Sequence, residues 1–68
     1  MKVGSREVGL ELRARRVRFG LTLRRGAEVL GMTMTELSFI EQGKTMVTQM
    51  QFRRLCCVLR AARKDGLA

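Results

Sequence analysis

The sequence predicts an all-α protein that folds as one small bundle of four to five helices. Its apolar residues recur at spacings of three and four, and glycine and threonine separate the periodic segments. With 46% hydrophobic residues and no Pro, Trp or Tyr, the composition favours a globular helical domain over a sheet or a disordered chain. A single domain is predicted over residues 6–64. Because 68 residues bury only about 60% of the unfolded chain's surface, dimerisation would help stability.

The first helix is predicted over residues 6–18, after a stretch at 1–5 that lacks periodicity and is expected to be flexible. Leu10 and Val17 share one face of this helix, and Leu12 lies well away from that face. A broad inward face that includes these three side chains is therefore expected.

The second helix is predicted from Leu23 to Leu30, between two residues that suit helix ends. The hydroxyl of Thr22 can accept hydrogen bonds from backbone N–H groups of the first turn. Gly31 can adopt the positive φ that ends a helix. Ala27 and Leu30 have the spacing of inward-facing residues.

The third helix is predicted from the capping-box pattern of Thr33 and Glu36, and it continues to about Gln42. Leu37 and Ile40 are spaced to lie on its inward edge. The opposite side of this helix would then be free for contacts outside the domain.

A last helix is predicted over residues 48–64, followed by a flexible end at 65–68. Five residues at helical spacing are expected to face the core, namely Phe52, Leu55, Cys56, Leu59 and Ala62. A second apolar face is the candidate homodimer interface, formed by Met50, Cys57, Val58 and Ala61. The alternative is that Met50 and Val58 pack beneath the loop at 44–47.

The charge balance indicates an anionic partner. The chain has 14 basic and 6 acidic side chains, a formal net charge of +8, which suits nucleic acid, although such a balance can also serve solubility alone. A membrane is the weaker candidate, because no segment approaches about 18 uninterrupted apolar residues. The first residues lack the apolar run of a signal peptide, so a cytoplasmic protein is expected.

The residue inventory argues against an enzyme and against a metal site. There is no His, and Cys56 and Cys57 are adjacent, so a disulfide between them would be strained. Without an imidazole to activate them, both thiols are expected to be reduced helix residues. No cofactor, no metal ion and no small-molecule ligand is therefore expected.

Residues 21–45, "LTLRRGAEVLGMTMTELSFIEQGKT", resemble a known motif. The features that match are the lead-in "GLT", Ala27, Gly31, Thr33, Leu37, Ile40 and the closing run "IEQGK". The stretch resembles the helix-turn-helix of the Cro and phage-repressor (Xre-type) family, over about residues 8–62. The resemblance implies a lambda-repressor-like bundle whose third helix enters the DNA major groove, usually as a symmetric dimer on an inverted repeat.

The resemblance also implies which residues would contact double-stranded DNA. Base contacts would fall to Met34, Thr35, Ser38 and Phe39. Contacts to backbone phosphates would fall to Thr22, Arg24, Arg25, Gln42 and Lys44. It further implies a structural ion pair between Arg16 and Glu41 that ties the first helix to the third.

Met34 and Phe39 depart from that family, which commonly has Gln, Arg, Asn or Ser on this face. They can touch thymine methyl groups but cannot make bidentate hydrogen bonds with a base. One alternative is that Phe39 folds back over the space left by Gly26. Another is that Met34 and Phe39 form a protein-binding surface.

These features together predict a sequence-specific transcriptional regulator. The favoured form is a repressor that binds an inverted-repeat operator as a homodimer, as regulators of phages and other mobile elements do. The alternative is a protein-interaction module, antitoxin-like or inhibitor-like, that reuses the helix-turn-helix scaffold. RNA binding through the arginines of the first helix is a weaker third interpretation.

Overall fold

A computed structural model describes residues 5 to 63, and within them the chain forms four α-helices and no strand. The prediction of an all-α bundle is thus confirmed. The predicted flexible ends at 1–5 and 65–68 lie, apart from Ser5, outside the described residues. The helices are α1 (Ser5–Arg18), α2 (Leu23–Leu30), α3 (Met34–Glu41) and α4 (Gln49–Ala61).

The helix ends follow local side-chain chemistry. The Thr22 hydroxyl accepts from the backbone N–H of Arg25 at 3.0 Å, and α2 ends at Gly31, whose φ is 72°. The predicted capping box opens α3, and a second, between Thr48 and Gln51, opens α4. α1 begins one residue earlier than predicted, and α4 ends three residues earlier.

The core draws on every helix. Leu12, Leu37 and Leu59 are fully buried, and they come from α1, α3 and α4. The other buried apolar residues are Leu21, Ala27, Ile40 and Val47. Because α1 and α2 each pack against both α3 and α4, the order around the core is α1, α3, α2, α4. α3 and α4 therefore lie at opposite corners, and their outer faces point to different sides.

The predicted inward face of α1 is wrong in two of its three residues. Leu12 is buried, but Leu10 and Val17 are 56% and 59% exposed. The stripe that faces inward is instead Gly9, Leu12 and Arg16, at spacings of three and four. Gly9 is buried because the backbone of α1 lies directly against the last turn of α3, and Arg16 is buried because it pairs there with an acidic residue.

The second apolar face of α4 is open to solvent. Met50 is 72% exposed, so it does not pack beneath the loop at 44–47, and that alternative is wrong for Met50. Cys57 and Ala61 are also exposed, whereas Val58 is half-buried. Three further exposed residues of α4 are basic, namely Arg53, Arg54 and Arg60.

Candidate nucleic-acid interface

α2 and α3 are joined by a tight turn that fixes their relative orientation. The left-handed backbone at Gly31 lets its N–H bond the carbonyl oxygen of Glu28 at 3.1 Å, and the Met32 N–H bonds that of Ala27 at 3.0 Å. Thr33 then caps α3. Ala27 is 2% exposed, and its small side chain permits close packing at this junction.

α3 is held to α1 by a buried ion pair. The Nε of Arg16 donates to Glu41 Oε2 at 2.7 Å and its Nη2 donates to Glu41 Oε1 at 3.1 Å, which makes a bidentate contact. The remaining Nη1 donates to the carbonyl oxygen of Leu21 at 2.9 Å. Each residue of the pair is only 8% exposed. The pair therefore sets the position of α3 against the domain.

The outer face of α3 is open, with apolar side chains at its surface. Met34 and Phe39 are 47% and 43% exposed, and Thr35 is exposed beside them. Ser38 is half-buried, and its hydroxyl accepts a hydrogen bond from the side-chain amide of Gln42 at 2.6 Å. The four residues predicted for base contacts thus start at the N-terminus of α3 and follow its outer side.

The alternative in which Phe39 covers the space left by Gly26 is wrong. That space belongs to Arg16, because a Cβ placed on Gly26 would lie 2.8 Å from the Arg16 Cδ atom. Phe39 instead faces the loop after α3, where the ammonium of Lys44 lies 5.4 Å from the centre of its ring. The backbone N–H of Lys44 also bonds the carbonyl oxygen of Phe39 at 2.8 Å. This loop therefore places a positive charge next to an exposed aromatic ring.

The residues predicted for phosphate contacts at α2 interact with other residues of the domain. Thr22 and Arg25 line a cleft that Ala62, at the end of α4, also lines. Arg24 and Arg25 both lie within 4.0 Å of the same carboxylate, that of Glu28, at 3.9 and 3.3 Å. One acidic group thus offsets part of the charge of these two arginines.

A cleft beside α3 that contains one unpaired arginine was not predicted from the sequence. Arg13 of α1 is exposed and makes no hydrogen bond or ion pair with the other residues from 5 to 63. Arg13 lies three residues before the buried Arg16, so both residues are on the side of α1 that faces α3. This helical spacing could have predicted the position of Arg13 from the sequence. The cleft has a volume of about 230 Å³ and is lined by Arg13, Arg16, Leu23, Ser38, Glu41 and Gln42.

The two cysteines are free thiols. Cys56 is half-buried and Cys57 is exposed. Burial raises the pKa of the Cys56 thiol, although the nearby Arg15 acts in the opposite direction, so the neutral thiol is favoured at neutral pH. Among residues 5 to 63, no group of three or more His, Cys, Asp or Glu is placed to hold a metal ion.

The tight turn, the pinned inner side of α3 and its open outer side together define a helix-turn-helix. The chain belongs to the helix-turn-helix domain family, whose sequence profile matches residues 7 to 65, and this family is related to the Xre-type domains. Domains of this kind are associated with DNA binding. Comparisons with curated proteins and with solved structures give no significant match. Among the described residues, no helix has the length and apolarity needed to cross a membrane.

Proposed function

We propose that this protein is a sequence-specific DNA-binding regulator of the Cro and phage-repressor kind, acting in the cytoplasm as a repressor without catalytic activity. The observation that carries the proposal is the construction of α3. Its inner side is fixed by Leu37, Ile40 and the Arg16–Glu41 pair, while its outer side stays open in a chain with a net charge of +8. A rigid, exposed helix in a basic domain has the form of a helix that enters the major groove.

In this proposal the residues divide into two roles. Met34, Thr35, Ser38 and Phe39 contact bases, because they lie on the exposed side of α3. Lys44 and Gln42 contact phosphates from the far end of that helix, and Arg13 adds a charge from α1. Thr22, Arg24 and Arg25 are further candidates for phosphate contacts at α2, and Glu28 offsets part of the charge of the two arginines.

The direct test is a selection of binding sites from random duplex DNA with the purified protein. We expect one inverted repeat to be enriched, with affinity that falls steeply as salt rises. Enrichment of no sequence, together with binding that salt does not change, would remove the proposal.

Single substitutions test the two roles separately. Lys44→Ala should weaken binding to every duplex alike and reduce the log–log salt slope by about 0.9, because one phosphate contact is lost. Thr35→Ala should instead change the preference among sequences and leave the salt slope unchanged. Binding titrations on the selected and on a scrambled duplex, at several salt concentrations, measure both effects. Equal losses from both variants on both duplexes would argue against a base-contacting helix.

A second candidate function is protein binding through the outer face of α3. The observation that favours it is the exposure of Met34 and Phe39, since exposed Met and aromatic side chains suit protein contacts. An apolar contact would be nearly insensitive to salt, whereas a DNA contact would not. The same salt series therefore separates the two functions.

The homodimer proposed for this regulator would form through the outer face of α4, where Met50, Cys57 and Ala61 are exposed and Val58 is half-buried. That face also carries Arg53, Arg54 and Arg60, which have no ion pair with residues 5 to 63. A two-fold contact would bring these arginines near their copies in the partner. Charge repulsion would then oppose the dimer at low salt.

We therefore expect dimerisation to strengthen as salt rises, while DNA binding weakens. Sedimentation equilibrium at low and high salt measures the dimer constant directly. Met50→Lys should abolish the dimer, whereas Leu10→Lys, a matched change at an exposed residue of α1, should leave it intact. A dimer that weakens with salt, or that survives Met50→Lys, would place the interface elsewhere.

A further inference from the structure

The outer face of α3 offers few polar groups with which to distinguish bases. We define its methyl-contacting surface as Met34, Thr35 and Phe39, three exposed residues of that face whose side chains contain methyl or aromatic carbon. The polar neighbours Ser38 and Gln42 are hydrogen-bonded to each other at 2.6 Å, and Gln42 stands at the C-cap of the helix. Side chains that usually make bidentate contacts with bases are otherwise missing from α3 between 34 and 41.

The loop that follows α3 lies close to Phe39. Two backbone N–H groups, of Lys44 and Thr45, bond the Phe39 carbonyl oxygen at 2.8 and 3.3 Å. The Lys44 ammonium lies 5.4 Å from the ring centre. The ring is nonetheless 43% exposed, so an apolar contact remains open beside a positive charge.

That combination fits one feature of duplex DNA. The C5-methyl group of thymine is the apolar group that base pairs present in the major groove, and threonine methyl and phenylalanine side chains are suited to contact it. A phosphate backbone flanks the groove, where the Lys44 ammonium can meet it. A partner protein with a purely apolar surface would provide no anion to pair with the Lys44 ammonium.

We propose that the methyl-contacting surface recognises thymine C5-methyl groups, so that the target is a duplex with thymines at the contacted steps. This inference rests on the proposed DNA-binding function and adds its target chemistry. Recognition depends on apolar contact with the methyl groups and not on bidentate hydrogen bonds. The difference in binding free energy between the target and a sequence without those thymines is then the sum of a few methyl contacts.

The test uses the duplex enriched by the selection, synthesised with either thymidine or deoxyuridine at each step of the half-site. Deoxyuridine removes only the C5-methyl group and keeps the hydrogen-bonding edge and the charge. We expect affinity to fall about four-fold for each contacted methyl that is removed, because the free energy gained by burying one methyl-sized apolar group is lost. The salt slope should stay constant, because no phosphate contact is lost.

Two variants assign the effect to the protein and not to altered DNA stacking. Phe39→Ala should reduce the difference between the thymidine and deoxyuridine duplexes, whereas Leu10→Ala, at an exposed residue of α1, should retain it. Circular dichroism melting would establish that both variants are folded. Equal affinity of the wild-type protein for both duplexes would overturn this inference and leave sequence-specific binding in place. Enrichment of no duplex at all would overturn the proposed function and this inference together.

Discussion

Glu41→Ala should unfold the domain at room temperature or leave it close to unfolding. The substitution removes the charged partner of Arg16, a residue that is only 8% exposed, and breaking a buried pair in this way costs about 3 to 5 kcal/mol. A single core in a chain of 68 residues is expected to supply no more than about 3 to 5 kcal/mol of net stability. The loss is therefore comparable to the whole stability of the protein. Urea unfolding followed by circular dichroism measures it.

A matched control is available on α1. Glu11 pairs with Arg15 at 2.9 Å, but the two side chains are 49% and 39% exposed, so Glu11→Ala should cost less than about 1 kcal/mol. The double variant Arg16→Met with Glu41→Leu should regain much of the stability lost by Glu41→Ala, because no unpaired charge remains buried. If Glu41→Ala were no worse than Glu11→Ala, the buried pair would not be what holds α3 against α1.

Both ends of α2 and the starts of α3 and α4 could be predicted, because short-range side-chain chemistry sets them. Thr22 and Thr33 cap the two helices of the motif, and Gly31 adopts the left-handed backbone between them. Side-chain hydroxyls and a glycine act within three or four residues, so the order of residues alone reveals them. The inner side of α3 could be predicted for a similar reason, since Leu37 and Ile40 recur at helical spacing.

The orientation of α1 could not be predicted, because it depends on long-range contacts that hydropathy does not detect. Its inward stripe contains a glycine and an arginine, Gly9 and Arg16, whereas two of its apolar residues, Leu10 and Val17, are exposed. A ranking by hydropathy would instead place Leu10 and Val17 inside and Gly9 and Arg16 outside. Only the close approach of α3 explains why the smallest and the most polar of them lie inside.

The sequence predicted which side of α3 forms the candidate interface, but it did not predict how the neighbouring residues are arranged around that side. The spacing of the buried residues identified which side of α3 is exposed. The pairing of Lys44 with Phe39 and the cleft beside Arg13 depend on how the loop and α1 pack against α3, which the sequence does not state.

Gly9→Ala should also destabilise the domain strongly. A Cβ at this position would overlap the carbonyl oxygens of Ile40 and Glu41, which are backbone atoms at the end of α3. Backbone atoms cannot move aside without shifting the helix that contains them. We expect a net loss of about 2 to 3 kcal/mol, even though alanine is favoured over glycine inside a helix by roughly 1 kcal/mol.

The comparison that isolates this cause is Gly26→Ala, the same chemical change in α2. A Cβ on Gly26 would meet the side chains of Arg16 and Leu37, at 2.8 and 3.3 Å, and side chains yield more readily than backbone. Gly26→Ala should therefore cost less than Gly9→Ala, as measured by urea midpoints at constant m-value. Because Gly9 sets the distance from α1 to the end of α3, its variant should also lose DNA affinity under conditions in which it remains folded. A Gly9→Ala protein as stable as the wild type would mean that α1 does not approach α3 this closely, and the buried pair that depends on that approach would then need another explanation.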